Sequence, residues 1–433
     1  MSFEYKIAKK LVGRRENNFT QIIIRISVWA IALSIAVMIL ASAIITGFKK
    51  EIRENLFGFW GHIHISDTNV NRNFEFKPID YSNPVFDRIA DIDRVEYYEE
   101  VEFLGFKFPD KQVLKKSKGG VKYVQPSLII PGLIESVDNF QAILFKGVDS
   151  KYDFERLGRF LTEGTFPSIT SDTATSEIVI SKVIADRLKL KLGDRIIMSF
   201  VHDNNRIKRR FDISGIYNTG LEEYDKRFVI GDMARVQDFL RLHSDQCSVV
   251  EIVLDDMKDM DLIADYIYYE ILPSELYAET IKEKFRSIFD WLQLQDINEK
   301  IIIQLMAVVA IINMITVLLI LILEKTEFIA VLKSLGATNW QVRKIFLYNA
   351  MFLILKGLFL GNIFGLGIAF AQQNFKLFPL DESSYYLSTV PIYISVWSIL
   401  LINLITFLVI ILCVIIPTAL VSGITPVKAL RFR

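Results

Sequence analysis

The stretch "IIIQLMAVVAIINMITVLLILILEKTEFIAVLKSLGATNWQVRK", residues 301–344, decides how this chain folds. Its first 23 residues, Ile301 to Leu323, carry no charge. At about 1.5 Å per residue they cross a hydrocarbon core of about 30 Å. The remainder, Glu324 to Lys344, changes character. Phe328, Val331, Leu332 and Leu335 recur at helical spacing, with Glu324, Lys325, Glu327 and Lys333 outside that stripe. Gly336-Ala337-Thr338 then reads as a stop and a restart, and a second apolar run follows from Ile345. A short amphipathic helix between two spans suits the docking of a soluble partner.

Working outward, two more runs share this character. Ile26 to Phe48, "ISVWAIALSIAVMILASAIITGF", is long enough to span, and Ile392 to Ile416 is uncharged and ends at Pro417. Ala41-Ser42-Ala43 resembles a signal-cleavage site, but the first run starts late and is longer than a signal core, so an uncleaved span is expected. The fold class expected is a membrane protein of four transmembrane α-helices. They occupy 26–48, 301–323, 345–371 and 392–417, with a large α+β domain over 49–300 inserted between helices 1 and 2.

The composition agrees. Hydrophobic residues make up 52% of the 433, yet 50 acidic and 50 basic residues remain, so a sizeable soluble part must accompany the spans. The net charge of zero implies no nucleic-acid partner. Across 49–300 short strand and helix patterns mix without regular βαβ alternation: strands at 62–66, 95–108 (one or two), 142–149, 209–218 and 247–254, helices at 84–92, 233–242 and 261–272, and strand, helix, Gly-Asp turn and strand in succession over 177–201. Residues 3–15, "FEYKIAKKLVGRR", read as a basic amphipathic helix at the membrane interface, within a cytosolic N-terminal region of 1–25.

Orientation follows from the basic residues. Lys6, Lys9, Lys10, Arg14, Arg15 and Arg25 precede span one; Lys325, Lys333, Arg343 and Lys344 lie between spans two and three; Lys428, Arg431 and Arg433 follow span four. The 372–391 loop has only Lys376, beside Asp381 and Glu382. Both termini (with the 418–433 tail) and the 324–344 segment are therefore expected in the cytosol, and the large domain outside.

Little in the chain invites catalysis. Cys247 and Cys413 fall in different regions, so neither a disulfide nor thiol chemistry is expected. His62 and His64 would share a strand face but lack a clear third ligand, so no metal site is expected. No GxxxxGK[ST] occurs, so the chain has no nucleotide-binding loop of its own. Glu222, Glu223 and Asp225 read as a solvated turn rather than an acid–base pair, and no catalytic residue is assigned. Two features of span three stand out. Gly357, Gly361 and Gly365, four apart, form a candidate close-packing helix face. Lys356 is either a functional intramembrane charge or one that snorkels to the interface.

Several stretches together resemble the permease subunits of lipoprotein-releasing (Lol-type) ABC transporters, within the MacB/FtsX permease superfamily. They are "IAKKLVGRR" with "ISVWAIALSIAVMILASAIITGFKKEI" (7–15, 26–52), "GHIHI" (61–65), "ISGIYNTGLEEYD" (213–225), "EKTEFIAVLKSLGAT" (324–338), "YYLSTVP" (385–391) and "TPVKALRFR" (425–433). Tyr217 and Leu221 are mild departures, and Phe328 replaces the acid the family carries before Ile329-Ala330. The resemblance implies a bacterial inner-membrane protein whose outer domain is a MacB-like porter with an inserted subdomain. It implies an ABC ATPase dimer as partner, binding ATP and Mg on its own chains. It also implies a second permease copy or related permease, a lipoprotein cargo drawn from the outer leaflet, and a periplasmic lipoprotein carrier. Residues expected to couple to the ATPase are Glu327, Val331, Leu332, Lys333, Ser334, Leu335, Gly336, Ala337 and Thr338. The turn "HDNNR" (202–206) is short where the carrier-docking member of the paired permeases has a long hairpin. A MacB-like drug or peptide exporter and an FtsX-like scaffold regulating cell-wall hydrolases are the competing readings.

Overall fold

The computed structural model describes residues 4, 18–68, 77–103, 106–135, 140–170, 173–202, 205–381, 385 and 387–423. The expected N-terminal amphipathic helix over 3–15, the 425–433 motif and the centre of the 202–206 turn lie outside these residues. The chain divides into two compact units. One, mostly helical, comprises 1–51, 290–379 and 389–433; the other, built on a sheet, comprises 52–289 and 380–388.

In chain order the elements begin with helix α1, Asn18–Phe59. The sheet unit then runs β1 (Ile63–Asp67), β2 (Ile79–Asp80), α2 (Pro84–Ala90), β3 (Glu96–Phe103), β4 (Phe106–Lys116), β5 (Val121–Glu135), β6 (Phe140–Val148), β7 (Leu161–Gly164) and β8 (Glu177–Ser181). It continues through α3 (Lys182–Leu188), β9 (Arg195–His202), β10 (Asn205–Tyr217), β11 (Phe228–Asp232), α4 (Met233–Leu240), β12 (Gln246–Cys247), β13 (Val249–Leu254), α5 (Met260–Tyr266) and β14 (Leu276–Thr280). Single helical turns interrupt it at Phe154–Gly158, Glu222–Asp225 and Ile281–Lys284. The helical unit resumes with α6 (Arg286–Glu324), α7 (Thr326–Ser334), α8 (Asn339–Phe375) and α9 (Val396–Thr418), closed by a 3-10 turn at Ala419–Gly423.

Ten strands form one mixed sheet in the order β14-β1-β13-β5-β6-β11-β8-β10-β7, with β9 pairing β10 and β5. The β6–β11 and β8–β10 pairs are parallel and the others antiparallel. Phe145, Phe200 and Phe211 fill its core as a cluster of tilted and edge-on rings. Helix α4 starts where the Asp232 carboxylate accepts from the Ala234 and Thr175 amides, 2.9 and 2.8 Å away. It sits close because residue 147 is glycine; a Cβ there would lie 2.8 Å from Met233 Cα.

Around Trp60 this unit holds a buried polar cluster. The Lys146 ammonium is fully enclosed, 2.7 Å from Glu251 Oε1, and donates to Phe59 O (2.9 Å) and the Tyr152 hydroxyl (3.0 Å). Burial pulls its pKa down, but Glu251 and Tyr152 more than offset this, so it lies above the ordinary lysine value. His62 Nδ1 accepts from the Leu254 amide (2.7 Å), and His64 Nδ1 lies 3.0 Å from Lys284 Nζ. Burial, then the charge of Arg156, holds His62 at about 4. Burial, then Lys284 and Lys146, holds His64 well below the usual imidazole range. Both rings are neutral acceptors, and no metal-binding cluster occurs among the described residues.

The "EYD" turn differs from its sequence reading at one residue. Asp225 is buried, not solvated, and its carboxylate accepts from Thr219 N (3.0 Å) and Oγ1 (2.7 Å). An acid that closes a local hydrogen-bonded ring needs no water, and that ring is invisible in composition.

Among the described residues, four helices are long and apolar enough to cross a membrane. Each of the first three outruns its apolar stretch, because hydropathy marks only membrane depth while helical hydrogen bonding continues through polar flanks. Helix α1 is the most enclosed of the four, with Ile31, Ile35, Met38 and Ile39 buried.

A candidate docking helix and an apolar groove

The segment between α6 and α8 is built by local rules. After α6 ends at Glu324, Thr326 Oγ1 donates to Leu323 O at 2.6 Å and α7 begins. It ends in a Schellman motif: Ala337 N donates to Leu332 O (3.0 Å) and Gly336 N to Lys333 O (3.1 Å). Gly336 adopts φ +91°, which a residue with a Cβ resists. Thr338 then caps α8 with Gln341 in a reciprocal capping box. The Gly-Ala-Thr triplet is thus a stop, a spacer and a cap.

Helix α7 buries Ile329 and Ala330 against the helical core, with Leu332 and Ala337 packed partly beside them. Lys333 turns inward, its ammonium donating to Val421 O at 2.6 Å, and Arg343 reaches Ser422 Oγ at 2.5 Å. Ser334 Oγ donates back to Ala330 O. The face left open is Glu327, Val331 and Leu335, one residue per turn, continued by Trp340 on α8. Leu335 is 80% exposed, Trp340 55% and Val331 47%. Of the nine residues expected to couple, Glu327, Val331 and Leu335 share this face, whereas Lys333, Gly336 and Thr338 serve the turn and its anchoring. The sequence reading misses Trp340, whose one signal is an aromatic two residues past the Thr338 cap.

In the membrane region, Gly357, Gly361 and Gly365 of α8 lie along α1. A Cβ on Gly357 would meet Ile31 Cγ2 at 2.6 Å; on Gly361, Ala32 O at 2.7 Å; on Gly365, Ala36 Cα at 3.1 Å. Gly367 has nothing within 4 Å. Helices α8 and α9 are joined by a reciprocal Asn362–Asn403 amide pair at 2.7 and 3.0 Å. Lys356 is exposed on α8. Gly47 of α1 admits the backbone of Pro391, whose oxygen would be 2.5 Å from a Cβ.

Between α1 and α6 runs an apolar groove of about 580 Å³. Val37, Leu40, Ala41, Ile44 and Ile45 form one wall, and Ile301 and Ile302 with Gln295 and Asn298 the other. A Lys49–Asp296 ion pair and an edge-on Phe48–Trp291 contact tie the same two helices together.

Two family descriptions match this chain. Residues 26–267 match the MacB-like periplasmic core domain, and residues 300–426 the FtsX-like permease C-terminal region. Among curated proteins, the lipoprotein-releasing system transmembrane protein LolE of Haemophilus influenzae is 22% identical over 84% of this chain and 81% of its own. The LolC proteins of Xylella fastidiosa (strain Temecula1) and Neisseria meningitidis serogroup B are each 21% identical over 98% of this chain and 97% of theirs. The extracellular domain of the transporter YknZ aligns with 51% of this chain and 98% of its own at a TM-score of 0.31 and 11% identity, too slight a likeness to carry weight.

Apolar helices, a sheet unit and a short amphipathic helix between two of the spans thus go with a membrane permease of the FtsX and MacB class. The chain belongs to the MacB-like periplasmic core domain family and carries the FtsX-like permease region at its C-terminal end.

Proposed function

We propose that this chain is the transmembrane subunit of an ATP-driven ABC transporter that releases lipoproteins from the outer leaflet of the bacterial inner membrane. The observation that carries this reading is the groove between α1 and α6. Its walls are aliphatic over most of their length, with amides at Gln295 and Asn298. An acyl chain is a hydrocarbon that must be held while out of the bilayer, and such a wall suits it. The LolC and LolE names of relatives that align over 81% or more of their own length support the same substrate class.

In this reading the open face of α7 docks a separate ABC ATPase, whose dimer binds ATP and Mg. Glu327, Val331, Leu335 and Trp340 are the contact residues, an aromatic and aliphatic centre with one acid at its edge. Lys333 and Arg343 hold the helix to the 419–423 turn, so a push on α7 is passed to the spans. Both termini face the cytosol and the sheet unit the periplasm, where a lipoprotein carrier receives the cargo. A second permease copy, or a related permease, completes the pair.

Leu335→Glu tests the docking. The side chain is exposed, so the thermal midpoint of the purified permease should stay unchanged. Co-purification of the ATPase should fall at least about tenfold, the loss of one interface anchor worth roughly 1.4 kcal/mol or more. Undiminished co-purification would place the ATPase elsewhere. The MacB-like core keeps a second reading open, export of drugs or peptides. Depletion separates the two: lipoproteins stranded in the inner membrane support the first, drug sensitivity the second.

A further inference from the structure

Among the described residues, the turn between α8 and α9 is built rather than slack. Lys376 closes α8 in the left-handed region (φ +47°), its amide donating to Gln372 O at 2.9 Å. The Gln372 side chain is buried and holds both arms of the turn. Its Oε1 accepts from Phe378 N (3.1 Å) and its Nε2 donates to Val390 O (3.0 Å). Val390 N in turn donates to Phe378 O (3.2 Å), and Pro379 bridges Thr389. The second arm is braced on α1: Tyr393 N donates to Ala43 O at 3.0 Å, and Pro391 lies against Gly47. Groove residues Ile44 and Ile45 fall between those two contact points on α1.

This fixed turn nevertheless shows its apolar side chains outward. Phe375 is 73% exposed, Leu377 57% and Phe378 58%, a run of large apolar groups that water disfavours. Its place in the chain says what covers it. Phe375 is the last residue of one membrane-crossing helix and Val396, beyond the turn, the first of the next. From Lys344, the last base before the apolar run of α8, to Phe375 is 31 residues. At about 1.5 Å each they rise about 46 Å, and a bilayer with its headgroup layers measures about 40–45 Å. With Lys344 at one boundary, Phe375 to Phe378 stands at the other, where headgroups give way to acyl chains. Val396 and Trp397, both exposed, open α9 at the same boundary. Lys376, exposed among the three apolar residues, sets a cation at the level of the lipid phosphates.

We propose that the 375–378 turn is a membrane wedge, held by α8 and α1, whose Phe375, Leu377 and Phe378 side chains enter the lipid boundary beside the groove. The contact is with bilayer lipid and does not rest on the lipoprotein reading, since it is formed and measured whatever the cargo.

Leu377→Cys and Phe378→Cys, each in the full-length chain, would be labelled with a bimane and reconstituted into phosphatidylcholine vesicles. Lipid brominated near the glycerol end of its acyl chains quenches a label at the boundary; lipid brominated near the methyl end quenches one at mid-bilayer. Lys182→Cys, exposed on α3, is the aqueous control, and Leu404→Cys, exposed midway along α9, the deep one. The unsubstituted chain sets the background from Cys247 and Cys413. Labels at 377 and 378 should be dimmed at least about twofold by the shallow bromine and less by the deep one, because an interfacial apolar face sits about 5–10 Å into the headgroup and acyl boundary. The label at 404 should show the reverse order. Labels at 377 and 378 as indifferent to bromine as the one at 182, whether in water or under another protein, would overturn the proposal, as would stronger dimming by the deep bromine.

Discussion

Lys146→Met is expected to loosen the sheet unit by about 3–5 kcal/mol, because it strands the buried Glu251 carboxylate without its ion-pair partner. Both side chains are fully enclosed. Glu251 would keep only the Ser127 hydroxyl at 3.0 Å, and Phe59 O and the Tyr152 hydroxyl would lose their donor. The readout is hydrogen exchange of peptides from β6 and β13 in the full-length protein. Protection should fall between about a hundred- and a few thousand-fold. Adding Glu251→Gln removes the stranded charge while keeping an acceptor for Ser127, and should recover much of the loss. If the single variant exchanges like the parent, the pair does not hold this unit together.

Gly361→Leu carries the second large effect. Apolar lipid gives helices no hydrophobic reason to associate, so α8 and α1 are held by close van der Waals approach. A Cβ at 361 would already be 2.7 Å from both Ala32 O and Ile35 Cβ, and a whole isobutyl group forces the helices apart. Overpacking costs about 1–3 kcal/mol in a core that can yield, and more where backbone atoms are struck. A lower thermal midpoint in detergent and reduced accumulation in membranes are expected. Gly367→Leu is the matched control on the same helix, facing open space, and should leave both unchanged. Equal behaviour of the two variants would contradict the packing.

The sequence disclosed much of this because membrane helices and helix stops are written locally. Ile301–Leu323 needs no partner to be read as a span, and Gly336 before Thr338 encodes its own turn. Strands were harder. The run 142–149 reads as a strand ending in a Gly turn, but β5, from Val121 to Glu135, carries Pro126, Pro131 and Gly132, which hide it. Its pairing with β6, β9 and β13 overrides those local signals. The site was legible in part. Helical spacing found Val331 and Leu335, but which way α7 turns depends on Ile329 and Ala330 meeting a core contributed by distant helices. Lys333, grouped by sequence with the docking residues, is drawn instead to a carbonyl 88 positions away. The Lys146–Glu251 pair and the α1–α6 groove join residues far apart in the chain, and no spacing rule announces either.

The central claim, a permease that takes hold of acylated proteins in the membrane, is tested most directly in the groove. A photoreactive amino acid at Leu40, irradiated in membranes of living cells, should capture lipoproteins. The adducts should vanish when acylation is blocked and diminish when the partner ATPase is allowed to turn over. No lipoprotein adduct at Leu40, or adducts that persist unchanged for the same proteins without their acyl chains, would contradict the account.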